Sequence, residues 1–181
     1  RKENQDISWL RINQEGNFFN EAEMNRTAQN SILNLATHIR GLKKITVESR
    51  PQYLTEEVIF DISKIFKGSG IKFEIGMGLE AKDEIVRNVC INKQEKNSDF
   101  INAVDLLRQY GISPLAYIII KPPFLTEAEA IDEAVETAHF AHEIGFERIS
   151  FEPMSIHPYT LVDALRQTGD YCAPWLWSVV E

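Results

Sequence analysis

Cysteine is scarce in this chain of 181 residues: only Cys90 and Cys172 occur, 82 positions apart. Two thiols at that separation match no local metal motif, and neither marks a nucleophile by itself. A reduced, cytoplasmic protein is expected. Positive charge is also short, with 19 Lys and Arg against 27 Asp and Glu and a net charge of −8. That balance argues against wide, non-specific phosphate binding, leaving only a local basic strip as a route to RNA. Long apolar runs are absent. None approaches a bilayer span and no signal peptide is visible, so no membrane partner is expected. What remains is ordinary for a globular chain, 44% hydrophobic and 25% charged, enough for one domain with a proper core. The chain opens "RKENQDISWLRINQ", without an initiating Met and with a strand pattern near its start. It reads as a domain entered part-way through, lacking its first βα unit, whose motifs are expected upstream.

Strand-like runs recur at 7–13, 43–49, 71–78, 114–120 and 148–153, with helical patterns between them. Asn20 with Glu23 reads as a capping box opening a helix that runs toward Gly41. Thr55 suits the next N-cap and "GSG" (68–70) its end. Ser98 suits a third start, and Thr126 with Glu129 forms a box before a helix ending at Gly145. Residues 81–97 read as a short helix and a loop. Alternating strands and helices predict parallel pairing through right-handed crossovers. Five units are too few for a closed eight-stranded barrel, which takes roughly 250 residues. The expected fold class is therefore α/β, a partial (β/α) barrel or open parallel sheet.

Fully buried parallel strands usually read as continuous apolar runs. Here, alternation leaves polar lanes: Arg11, Asn13 and Glu15 on the first strand, and Thr46, Glu48 and Arg50 on the second. The third carries Glu74, Gly76, Gly78 and Glu80, and the fifth Ser150 and Glu152. The fourth is apolar on both faces until Lys121. A sheet has two edges, so edge exposure cannot account for four polar strands. Burying so many unpaired charges costs several kcal/mol each. A wet, ligand-filled interior at the strands' C-terminal ends resolves the conflict, with Gly76 and Gly78 leaving room for a ligand near the backbone.

In order along the chain, "EGNFFN" (15–20), "VESRPQYLTEE" (47–57), "EIGMGLE" (74–80) with "VCINK" (89–93), "LLRQYGISPLAYIIIKPPFLTEAEA" (106–130) and "PWLWSVVE" (174–181) resemble a radical S-adenosylmethionine (SAM) enzyme. The resemblance is to the branch containing the Elongator catalytic subunit and the archaeosine synthase radical subunit. It implies a partial barrel holding SAM and a 4Fe–4S cluster, 5′-deoxyadenosyl radical chemistry, and a modified tRNA base as substrate. The family's CxxxCxxC ligand motif does not occur here, so the cluster ligands are expected in an upstream segment. By the same resemblance Asn13, Glu15, Gly16, Glu48, Arg50, Glu74, Gly76, Gly78, Glu80, Ser150 and Glu152 would bind SAM. Lys121 would serve at the mouth as a substrate contact or proton donor. No metal ligand is assigned within the chain.

Two other readings stay open: an aldolase-like barrel with Lys121 as a Schiff-base lysine, and a non-catalytic binding module. His139 and His142 have helical metal-binding spacing but read as packing or surface, and His157 as an incidental loop residue. Trp175 and Trp177 suit packing better than base stacking. If a first strand lies upstream, strand 7–13 has an open edge here, and homodimerisation through it is expected.

Overall fold

A computed structural model describes residues 7–13 and 16–180. Strands β1 (Trp9–Ile12), β2 (Lys44–Glu48), β3 (Lys72–Glu80), β4 (Ser113–Ile120) and β5 (Arg148–Pro153) form one parallel sheet in the order β1-β2-β3-β4-β5. Helices α1 (Arg26–Ala36), α2 (Glu56–Phe66), α3 (Asn97–Gln109) and α4 (Glu127–Ile144) link them. The short α5 (Leu161–Thr168) and α6 (Leu176–Val180) follow β5. The result is the expected partial barrel, a half-barrel with helices around it. No helix among the described residues is long and apolar enough to cross a membrane.

The core lies between the outer face of the sheet and the helices. Ile45 and Val47 of β2, and Phe73, Ile75, Met77 and Leu79 of β3, are all buried there. They meet Leu33 of α1, Val58, Ile59 and Ile62 of α2, and Phe100, Val104 and Leu107 of α3. This outward set is the apolar half of the period-2 alternation, so the polar half must face the concave side.

Helix starts follow local side-chain chemistry. Thr55 caps α2 by accepting from the Val58 N–H, and Thr126 with Glu129 forms a reciprocal box at α4. Two expected starts move. Asn25, accepting from the Ala28 N–H, begins α1. Asn20 and Glu23 do bond each other (2.7 Å), but within a turn, because the Glu23 carboxylate also accepts the Asn17 backbone N–H at 2.7 Å. Likewise α3 begins ahead of Ser98, where the Asp99 carboxylate accepts from the Lys96 N–H at 2.8 Å.

The segment after β3 contains a single π turn, Val86–Cys90. It is organised by Arg87, whose side chain is wholly buried. The guanidinium donates to the carbonyls of Leu79 (3.0 Å), Ala81 (2.9 Å) and Glu95 (3.2 Å) and to the Asn97 side chain (2.5 Å). It lies 4.9 Å from the centre of the Phe100 ring. One cation thus ties together carbonyls on both arms of a long excursion, and is the donor for that of Ala81.

Candidate active site

The concave face is layered. At the strands' N-terminal ends sits Glu74, almost fully buried, accepting from Lys44 (2.7 Å), Thr46 (2.8 Å) and both Nε (3.1 Å) and a terminal nitrogen (2.5 Å) of Arg148. Burial alone would raise its pKa. The bonds from Arg148, Lys44 and Thr46 outweigh that and hold the carboxyl below its ordinary range. Trp9 reaches across from β1, donating to Thr46 at 2.8 Å, with Arg148 of β5 at 5.1 Å and Lys44 at 4.7 Å from its ring centre. The first and last strands therefore meet over a polar plug.

Above it, Tyr117 of β4 lies across Gly76. A Cβ at Gly76 would stand 2.5 Å from the tyrosine ring, so glycine is required there to seat the phenol. The hydroxyl donates to Glu48 at 2.8 Å and accepts from Arg11 at 3.2 Å, linking β1, β2 and β4. Burial first, then the bond to Glu48, pushes the phenol up to about 12, with Arg11 opposing. Gly76→Ala should cost about 1–3 kcal/mol through overpacking. Urea unfolding of G76A and of G76A/Y117L checks this, the double variant recovering most of the loss.

The third layer opens at the strands' C-terminal ends as a cleft of about 610 Å³. Arg11, Asn13, Gly16, Glu48, Arg50, Gly76, Gly78, Glu80 and Glu152 line it, together with Asn17, Lys93 and Tyr117. Lys93 pairs with Glu80 at 2.6 Å, their ends filling the space over Gly78. Arg50 donates to Glu95 at 2.6 Å and to the Lys93 carbonyl, so the loop pinned by Arg87 also delivers Lys93. Asn17 accepts from the Arg50 N–H at 3.0 Å, while the Phe18 N–H bonds the Glu48 carbonyl at 2.9 Å, docking the loop after β1 onto the end of β2.

Most of the side chains expected to share a site are thus brought together. Ser150 stands beside them, donating to Glu152 at 2.8 Å. Glu74 shares their face but lies a layer below, in the plug. Glu15 lies outside the described residues. Lys121 does not line this cleft: it leaves β4 with φ 60° and its ammonium pairs with Glu127 at 2.5 Å in a separate depression. Although burial opposes it, the bonds to Glu127 and Cys172 raise the Lys121 pKa, the reverse of what a Schiff-base amine needs. Tyr117, Lys93, Asn17 and Arg87 carry much of the arrangement without having been singled out. Tyr117 sits within an apolar run, and nothing in the residue pattern of 81–97 says that one arginine turns inward.

The donor set suits a ligand with both charges and hydroxyls. Carboxylates and cations alternate around the rim, and the volume is within the roughly 300–1,000 Å³ of small-molecule sites. SAM, with its amino-acid zwitterion and ribose, fits that chemistry. A 4Fe–4S cluster does not: among the described residues no three His, Cys, Asp or Glu side chains gather as metal ligands. Cys90 lies in the π turn and Cys172 beside Lys121.

A parallel half-barrel with a polar mouth is the architecture of radical SAM-related barrels. The archaeal Elp3 of Methanocaldococcus infernus superposes with a TM-score of 0.67 at 16% identity, covering 93% of this chain and 42% of that one. Coproporphyrinogen III oxidase of Escherichia coli, described as a radical SAM enzyme, gives 0.64 at 16% identity over 96% of this chain and 38% of that one. Sequence relatives narrow this. The chain is 33% identical over 172 residues to archaeosine synthase subunit beta of Methanosarcina acetivorans, covering 95% of this chain and 49% of that protein. It is 34% identical over 180 residues to an uncharacterized protein of Methanocaldococcus jannaschii, covering 99% and 48%. It spans about half the length of the curated relatives it matches, and no family model matches it. Kinship with the archaeosine synthase branch, read from the strand-end motifs, is borne out.

Proposed function

We propose that this chain is the SAM-binding barrel of a radical SAM enzyme that acts on a modified base in tRNA. The observation that carries the reading is the single cleft at the strands' C-terminal ends, where polar side chains from β1, β2, β3 and β5 converge around Tyr117. Support for the substrate comes from the relatives named archaeosine synthase subunit beta, and that name also argues for a partner subunit. In this reading Arg50 and Lys93 face the carboxylate of the ligand, while Glu48 and Glu80 accept from its ammonium and ribose hydroxyls. Tyr117 closes the floor and keeps Glu48 turned inward. The described residues offer no ligand set for the iron–sulfur cluster, which would supply the electron that cleaves SAM.

The complete gene product, reconstituted anaerobically with iron and sulfide, should show a cluster charge-transfer band and release 5′-deoxyadenosine from SAM under reduction. Absence of the band after reconstitution contradicts the proposal. Glu48→Gln should weaken SAM binding about tenfold, or about 1.4 kcal/mol, by calorimetric titration. Unchanged affinity would remove Glu48 from the site.

A further inference from the structure

Lys121 and Cys172 lie outside the cleft and take no part in the proposed function. Lys121 is the first residue after β4, and its carbonyl accepts from the buried Tyr171 hydroxyl at 2.7 Å. Its side chain is only 6% exposed, so the ammonium must find acceptors within the protein. One is Glu127, and the other is the Cys172 sulfur at 3.3 Å. The lysine nitrogen and the cysteine sulfur are thereby held within hydrogen-bond distance of each other. Glu127 is itself held by the Trp175 N–H (2.8 Å) and the Ser178 hydroxyl (2.6 Å), which fix the C-terminal segment around the pair. Cys172 is exposed and open to small oxidants, whereas burial and then Asp83 push the Cys90 thiol up, away from reactivity.

We propose that Lys121 and Cys172 form an oxidant-dependent covalent cross-link, a nitrogen–oxygen–sulfur bridge, with dioxygen as the oxidant. The step balances as Lys–NH3⁺ plus Cys–SH plus O2 giving Lys–NH–O–S–Cys plus H2O plus H⁺. Nitrogen and sulfur each lose two electrons, and dioxygen accepts four. One N–O and one S–O bond form, the O–O bond breaks, and two protons of the ammonium leave in the water. The nucleophile and the amine are already in contact, so the bridge needs only a small approach of the two side chains. It would fasten the segment 171–178 to the exit of β4.

Purified protein held in air-saturated buffer should gain the mass of one oxygen less two hydrogens, lose it on treatment with dithiothreitol, and yield a joined peptide containing Lys121 and Cys172. C172S should abolish the gain and C90S should leave it intact. Lys121→Arg preserves a cation for Glu127 but cannot form the bridge, so a folded K121R protein should oxidise at sulfur alone. The same oxygen-less-two-hydrogens gain in K121R overturns the proposal. So does a Cys172 that stays free to alkylate after exposure, or one that pairs only with a second copy as a disulfide.

Discussion

Glu74→Gln should lower stability by about 3 kcal/mol, seen as a shifted urea midpoint at unchanged slope. Glu74 is the acceptor for Lys44, Thr46 and Arg148 together, and removing one partner of a buried pair typically costs about 3–5 kcal/mol. The lower end applies because Lys44 and Arg148 keep 23% and 35% of their side chains exposed and can turn to water. The effect carries a pH signature. A carboxyl whose folded pKa is depressed contributes stability that is full above its ordinary value of 4.5 and is lost as pH falls through the lower, folded value. Wild type should therefore lose stability on acidification below pH 4.5, and E74Q should show a flatter limb. Equal acid limbs would mean that the plug contributes nothing through charge.

Arg87→Met should cost about 1–3 kcal/mol, because it leaves the Ala81 carbonyl buried without a donor and strips one of two donors from the carbonyls of Leu79 and Glu95, which keep the Ala81 N–H and the Asn88 side chain. It should also loosen residues 91–96 and with them Lys93 and the Arg50 contact. Hydrogen exchange in that segment, faster in R87M at a temperature where the protein stays folded, checks the second half. An R87M variant as stable as wild type would show that water satisfies those carbonyls.

The half-barrel was legible because its signals are periodic. Ile45 and Val47 against Thr46 and Glu48, or Met77 and Leu79 against Gly78 and Glu80, sort themselves to two faces by alternation alone. Lengths and caps at Thr55 and Thr126 then force parallel crossovers. What alternation cannot supply is depth along the strand. Glu74 and Glu80 share a lane, yet one sits in the plug and the other at the mouth. The two glycines likewise signalled space without its occupant, which over Gly76 is the Tyr117 ring. Lys121 lies one residue past its strand, and its left-handed backbone turns it from the mouth. Asn20 and Glu23 have capping-box spacing and do bond, but the Asn17 N–H competes for the same carboxylate.

Hydrogen–deuterium exchange with and without SAM tests the central claim most directly. Protection confined to peptides that carry Arg11, Asn13, Gly16 and Asn17, and to those covering 48–50, 76–80, 117–119 and 152–155 or containing Lys93, is the expected result, since these residues line the cleft. Protection centred instead on 121–127 and 170–175, or none at saturating SAM, would contradict the account.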